Sequence, residues 1–312
     1  MQDAKGLVLA VNPRVVIAGG SGALGQKIAL NFVNLGHEVF ILTRRVRDSV
    51  AYKQLVWDGT SVEPSWASII PGSILINLSG ELVDRRPTPE NIALLKSSRV
   101  SPTETLVRAS EEYGAPSIWL QMSTLAIYGD AGELVLDEAS DPAEGPEQMA
   151  GVAKVWEAAL QPISGCRIVF LRTGIVLDSG TPALNRLIAI TRMFMGGTVG
   201  DGDQWVSWIH IRDFIGAINF IVGNSNLSGV IHITSPNPVR NKQLMASLRA
   251  VLHKPWSPPT PALVIRLGSR FIFKTDPMLA LSGRRAVPAK LLAGGFEFEK
   301  SDLGEALEDL CR

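Results

Sequence analysis

The chain has 312 residues, with 30 Lys+Arg against 30 Asp+Glu, and 46% of it is apolar against 19% charged. That balance excludes intrinsic disorder, which needs low hydrophobicity and high net charge. Two cysteines, Cys166 and Cys311, are too few for a disulfide framework, and no apolar run approaches the roughly 20 residues a spanning helix requires. The apolar stretch Leu7–Val11 is short, follows Lys5 alone and runs into Asn12-Pro13, so a cleaved signal is not expected. The sequence reads as a cytoplasmic globule of one large domain or two interlocked ones.

Neutrality hides segregation. Residues 130–160 carry eight acids against Lys154, and residues 239–290 carry ten bases against Asp276. Separated blocks of this kind predict that one end of the molecule handles anions.

In chain order, Val15–Ala18 is a β-branched strand closed by Gly19-Gly20-Ser21-Gly22. Helical periodicity follows through Leu24, Ile28, Phe32 and Leu35, with Gly36 at the C-cap position. Further strands are predicted at Glu38–Thr43, Leu55–Trp57, Ser73–Leu78, Ser117–Met122 and Cys166–Leu171, with helices over Pro89–Tyr113 and Glu147–Leu160. Beyond Asp178 the alternation weakens, and Ile209–Phe220 and Val230–Thr234 read as a return to the sheet. Pro255, Pro258, Pro259 and Pro261 then interrupt the chain before a mostly helical tail. Strands alternating with helices imply an α/β fold, a Rossmann-type doubly wound parallel sheet, with a smaller and partly interleaved C-terminal substrate lobe. The expected division is a nucleotide-binding domain over 13–178, to which 205–234 returns, and a lobe made of 179–204 and 235–312.

The loop after the first strand contains G-x-x-G-x-x-G at Gly19, Gly22 and Gly25. In the first βα turn of such a chain, the first glycine permits a tight turn, the second lets backbone approach a pyrophosphate, and the third packs helix on strand. The helix N-terminus at Ala23 and Leu24 then faces the phosphates. At the end of the second strand an NAD site would place an acid, about 20 residues on, for the ribose hydroxyls. Thr43-Arg44-Arg45 stands there instead, extended by Arg47. Two guanidinium groups suit the 2′-phosphate of NADP, so the expected cofactor is NADP.

These residues, with Trp57-Asp58, Asn77-Leu78-Ser79-Gly80, Ser98-Arg99, Trp156-Glu157, Arg172–Leu177, Trp208–Asp213, Gly283–Pro288 and Gly294–Phe298, make the chain similar to a known family. It resembles the atypical extended short-chain dehydrogenases/reductases of the NAD-dependent epimerase/dehydratase type, in the nucleoside-diphosphate-sugar epimerase-like subfamily (39U type) with a C-terminal domain of unknown function. The resemblance implies that Leu78, Ser79, Gly80 and Arg99 line the cofactor, with Ser123 nearby and Val176 near the nicotinamide end. It also implies a hydride shuttle between nicotinamide and a carbon of a phosphorylated or nucleotide-linked sugar.

Typical members carry a Ser/Thr and a Tyr-x-x-x-Lys pair, the tyrosine acting as general acid/base. Thr124, four residues before Tyr128, takes the hydroxyl position, and Thr124 and Tyr128 are the catalytic candidates, Tyr128 with the alternative of packing beside the substrate pocket. Aligned on Glu157, the tyrosine position falls on Met149 and the lysine position on Ala153. Lys154 is one residue off and would point about 100° round the helix. The alternative is therefore an NADPH-binding sensor or scaffold without catalysis.

The four histidines show no metal spacing, and no metal is expected. His210, in a Trp-Ile-His-Ile-Arg-Asp segment that reads as the return strand and the start of a helix, reads as a structural histidine. Trp205 and Trp208, after the glycine-rich run 196–202, could stack on a sugar or base. Arg266, Arg270 and Lys274 recur at i, i+4 and i+8 as a stripe, and Arg284-Arg285 suit phosphate recognition. The expected partner is an anionic small molecule, with no nucleic acid and no membrane, and the chain acts as a monomer or homodimer.

Overall fold

A computed structural model describes residues 13–263 and 276–311. The Leu7–Val11 stretch and the Arg266, Arg270, Lys274 stripe lie outside the described residues. The chain runs β1 (Val15–Ala18), α1 (Ala23–Asn34), β2 (Val39–Thr43), β3 (Lys53–Val56), α2 (Pro64–Ala67), β4 (Ile74–Asn77), α3 (Pro89–Tyr113), β5 (Ile118–Thr124), β6 (Val135–Leu136), α4 (Val152–Ala158), β7 (Arg167–Thr173), β8 (Ile175–Leu177) and α5 (Pro182–Arg192). It continues with β9 (Trp205–Val206), β10 (Trp208–His210), α6 (Ile211–Gly223), β11 (Gly229–Ile233), β12 (Val239–Arg240), α7 (Asn241–Val251), a helix Met278–Leu281, β13 (Arg285–Ala286) and helices Ala289–Ala293 and Leu303–Cys311.

Seven strands form one sheet in the order β11-β7-β5-β4-β1-β2-β3, every neighbouring pair parallel. The four residues of β1 are wholly buried, as a continuous apolar run in a sheet covered on both faces must be. The pleat sends Val15 and Ile17 into a core shared with Ile28, Ala29 and Phe32 of α1 and Phe214 and Ile218 of α6. Val16 and Ala18 point the other way, to Trp66 of α2, Leu106 of α3 and Trp119. Helices therefore cover both faces, the doubly wound arrangement that leaves the carboxyl strand ends as the binding crevice.

The segment Ile209–Phe220 corrects the extent of the expected return to the sheet, while the helix expected to start there is present. Only β10 is extended there, and it pairs with β8 outside the main sheet. The rest is α6, which begins because the His210 side chain accepts from the Arg212 backbone N–H at 3.1 Å and so caps the helix. Glu147–Gly151 is a π-helical turn that leads into α4, so the predicted 147–160 helix is regular only in its second half.

Candidate functional site

Gly19 turns the chain at the end of β1 with φ +69°, and a Cβ there would lie 2.9 Å from the Ser79 backbone. Only glycine fits this left-handed corner against the β4 loop. A Cβ on Gly25 would meet the Gly20 carbonyl oxygen at 2.4 Å. The third glycine thus packs α1 on its own loop rather than on the strand. Gly22 and Ala23 are exposed, and a Cβ on Gly22 would have nothing within 4 Å. Leu24 is half-buried. The first turn of α1 carries no acid and its N-cap no side-chain hydrogen bond, so its backbone N–H groups stand ready for an anion.

Beside this loop opens a pocket of about 770 Å³ lined by Ser21, Thr43, Arg44, Arg45, Val46 and Arg47. None of the six is acidic. The Thr43 hydroxyl donates to the Arg45 carbonyl at 3.0 Å and accepts from its N–H at 3.3 Å. Gln54 clamps Arg47 through both its backbone groups, at 3.0 and 2.7 Å. The turn is pinned by its backbone while its guanidinium groups stay exposed. Arg44 approaches Glu81 at 3.6 Å, a loose surface pair. Ser21 and Arg47 are lining residues that the sequence pattern left without a role.

The Leu78–Gly80 loop is held from below. Asn77 is fully buried; its amide donates to Thr103 Oγ1 at 2.9 Å and Gln121 Oε1 at 3.1 Å, while its carbonyl accepts from the Ser79 N–H at 3.1 Å. Trp119 Nε1 also donates to Gln121 Oε1, at 3.0 Å. Arg99 sits behind the loop: its Nη2 donates to the Glu81 carbonyl at 2.9 Å and Nη1 to Leu95 O at 3.0 Å. A Cβ on Gly80 would lie 2.9 Å from the Arg99 guanidinium carbon. Burial pulls the Arg99 guanidinium down to about 10, and nearby Glu81 pushes the other way. Its contacts are those of a residue that sets the position of the loop.

At the end of β5, Ser123 and Thr124 diverge. The Ser123 hydroxyl donates to Glu157 Oε1 at 2.5 Å, and Glu157 takes a bidentate grip from Arg172 at 2.9 and 2.8 Å. Arg172 Nη1 donates to the Tyr128 hydroxyl at 2.8 Å, and that hydroxyl meets His232 Nε2 at 2.7 Å. Tyr128 is only 3% exposed, and burial pushes its phenol up despite the adjacent Arg172 cation. The structure places Tyr128 inside a buried polar network, with the Asp137 carbonyl also 3.2 Å from its hydroxyl. Thr124 is half-exposed by comparison; its Oγ1 accepts from Ala126 N–H at 3.1 Å, capping the 3₁₀ turn Leu125–Tyr128. Its hydroxyl proton has no acceptor among the described residues. Val176 is buried in β8, paired with Ile209.

Met149 and Ala153 are 5% and 1% exposed, and neither carries an ionisable group. Lys154 faces away, toward Glu144 at 3.5 Å. Trp208 is fully buried with Nε1 donating to Asn237 O at 3.0 Å, and Trp205 is sandwiched between Arg240 and Arg285, 4.1 and 4.6 Å from its ring centroid. Neither ring is free to stack on a sugar or base, because both belong to the packing of the C-terminal segment. The charge blocks also resolve differently from the expectation of one anion-handling end. Glu133 holds Arg240 through two 2.8 Å bonds, and Glu138 accepts from the backbone of His232 and Lys290. The acidic block therefore spends part of its charge on the basic one. Arg284 and Arg285 diverge, as neighbours at a strand must: Arg285 to Trp205, Arg284 to the Gly129 carbonyl and Met149. No helix among the described residues is long and apolar enough to cross a membrane, and no group of three or more His, Cys, Asp or Glu among them could hold a metal.

Comparison with known proteins agrees with this geometry. Residues 15–233 match the NAD dependent epimerase/dehydratase family, and residues 260–310 match a domain of unknown function, DUF1731. The chain is 32% identical over 303 residues to the epimerase family protein YfhF of Bacillus subtilis, covering 95% of this chain and 97% of that protein. It is 30% identical over 308 residues to a chloroplastic SDR39U1 homolog of Arabidopsis thaliana, covering 96% of this chain and 86% of that one. Among solved structures, human SDR39U1 (isoform 2) with NADPH superposes with a TM-score of 0.84 at 26% identity, covering 95% of this chain and 98% of that chain. A nucleoside-diphosphate sugar epimerase of Corynebacterium glutamicum gives 0.76 at 28%, covering 96% and 58%. The glycine loop, the parallel sheet and the matched length lead to one assignment: the chain belongs to the NAD dependent epimerase/dehydratase family.

Proposed function

We propose that this protein binds NADP(H) and acts on a small anionic metabolite, a phosphorylated or nucleotide-linked sugar. In this reading 13–178 and 205–234 hold the cofactor, while 179–204 and 235–312 meet the substrate. The observation that carries it is the pocket at the end of β2, where Arg44, Arg45 and Arg47 line the wall beside Ser21 and no carboxylate takes the place an adenosine ribose would need. The NADPH bound to human SDR39U1 supports the same choice. The residues fit the cofactor: the open face of Gly22 and the uncapped N-terminus of α1 suit its diphosphate, the arginines its 2′-phosphate, and the Leu78–Gly80 loop, fixed by Asn77 and Arg99, the next stretch of the crevice. When bound, the nicotinamide supplies hydride donation or acceptance at a substrate carbon. Thr124 contributes a hydroxyl at the end of β5, and Ser123 is committed to Glu157. Calorimetric titration with NADPH and NADH tests the reading: NADPH binds at least tenfold more tightly, and equal affinities would refute it.

A second reading rests on a specific observation. Met149 and Ala153, buried and apolar at the tyrosine and lysine positions, support a protein that holds NADPH and turns nothing over. Steady oxidation of NADPH with any sugar phosphate or nucleotide sugar would exclude it.

A further inference from the structure

Arg284 reaches the tyrosine position from far along the chain. Its backbone is threaded between two other segments: Arg284 N donates to Trp205 O at 3.0 Å, Ser207 Oγ donates to Arg284 O at 2.8 Å, and the preceding Gly283 N donates to Asp130 Oδ1 at 3.0 Å. So anchored, the side chain enters between the end of the 3₁₀ turn Leu125–Tyr128 and the π-helical turn Glu147–Gly151. Nε donates to the Gly129 carbonyl at 2.6 Å, Nη2 to Ser282 Oγ at 2.9 Å, and the Met149 sulfur lies 3.9 Å from Nη2. Met149 is the residue that the sequence alignment puts at the tyrosine position, so the Arg284 guanidinium packs against that position.

The charge balance here is unlike that of Arg172. Arg172 faces Glu157 through two hydrogen bonds and is neutralised by it. Arg284 meets a carbonyl, a hydroxyl and a thioether, none of which cancels its charge, and Nη1 has no partner among the described residues. A cation held this way costs free energy unless an anion joins it. Asp130 acts on it only at a distance, and burial pulls the guanidinium down to about 10, so it stays charged at neutral pH.

We propose that Arg284 receives an oxyanion of the substrate, a carboxylate or phosphate oxygen, at the place the tyrosine occupies in related enzymes, and that the C-terminal segment matched by 260–310 serves to deliver this cation. The assignment rests on the cofactor reading above. An arginine cannot act as a proton donor at neutral pH, so its role is to select and hold an anion. Arg285, stacked on Trp205, takes no part.

The test is calorimetric titration of the NADPH-loaded protein, whose bound cofactor fills the Arg44–Arg47 pocket, with inorganic phosphate, succinate and, as the neutral control, glucose. Saturable binding of at least one anion and none of glucose is expected, and phosphate against succinate tells which oxyanion is preferred. Arg284→Met weakens that binding about ten- to hundredfold, while Arg285→Met leaves it unchanged and all variants keep their affinity for NADPH. Where Arg284→Met does not fold, Arg284→Gln, which retains a donor for the Gly129 carbonyl, shows the same loss. Anion binding that survives Arg284→Met or Arg284→Gln, or that Arg285→Met reduces equally, overturns the assignment, as does a loaded wild type that binds neither anion. A wild type that fails to bind NADPH overturns the cofactor reading and this one with it.

Discussion

The Tyr128 hydroxyl and His232 Nε2 meet across 2.7 Å at the centre of a buried chain of partners that runs from Ser123 to the Val287 carbonyl. His232 Nδ1 lies 3.0 Å from that carbonyl, which accepts its proton, so Nε2 is the acceptor and the phenol donates to it. Arg172 donates to the phenol from the other side, and the Asp137 carbonyl lies 3.2 Å from the same hydroxyl. Each member is therefore oriented by the next, and the network braces β5, β7 and β11 where the strands reach the crevice.

Burial holds His232 neutral, with its value pulled down from 6.5 to about 4. Above pH 6.5 the folded and unfolded chains are both neutral there and nothing is lost. As pH falls from 6.5 to about 4 the unfolded chain takes up the proton first, so stability declines, and below 4 the decline from this group stops. The full loss is about 3 kcal/mol. Urea denaturation of wild type and His232→Gln across this range measures it; equal pH dependence of the two proteins would contradict the placement.

Tyr128→Phe strands Arg172 Nη1 and His232 Nε2 without their shared partner. A destabilisation of about 1–3 kcal/mol is expected, with NADPH affinity unchanged. A variant of wild-type stability with altered turnover would instead return Tyr128 to the chemistry.

Asn77→Ala removes the carbonyl that holds Ser79 N–H and the amide that serves Thr103 and Gln121. It should cost about 1–3 kcal/mol of stability and also weaken NADPH binding, because the Leu78–Gly80 loop loses its anchor. Calorimetry separates the two effects, and undiminished cofactor affinity would show that the loop does not touch the cofactor.

Two charged neighbours on α4 should behave oppositely. Lys154 pairs at 3.5 Å with a fully exposed Glu144, so Lys154→Ala should change stability by no more than about 0.5 kcal/mol. Glu157→Gln leaves the buried Arg172 uncompensated and should cost about 3–5 kcal/mol. Chemical denaturation of both variants gives the comparison, and a similar cost for the two would mean the register of α4 is wrong.

The sheet, the glycine loop and the basic turn after β2 are legible in the sequence because each is a local pattern: a β-branched run, glycines at spacing three, two arginines where an acid is usual. Their residues lie close along the chain, and period and turn chemistry suffice to place them. The Tyr128–His232 pair is separated by 104 positions and Arg284 from Met149 by 135, so no local signal announces either contact. Ile209–Phe220 misled for a related reason. It is apolar on most sides, as a strand run and a buried helix both are, and the cap supplied by His210 decides in favour of the helix. Trp205 and Trp208 have the composition of a stacking platform, but arginines and core neighbours from distant segments cover them.

Cofactor preference tests the assignment of the Thr43–Arg47 turn most directly. The ratio of NADH to NADPH dissociation constants is measured by calorimetry in the wild type and in Arg44→Ala/Arg45→Ala, at one fixed salt concentration because exposed charges are screened. The wild type should favour NADPH by about ten- to hundredfold, as expected for charge-assisted contacts to one phosphate, and the double variant should bind both dinucleotides alike. A wild type indifferent to the 2′-phosphate, or a double variant that keeps the full preference, would contradict it.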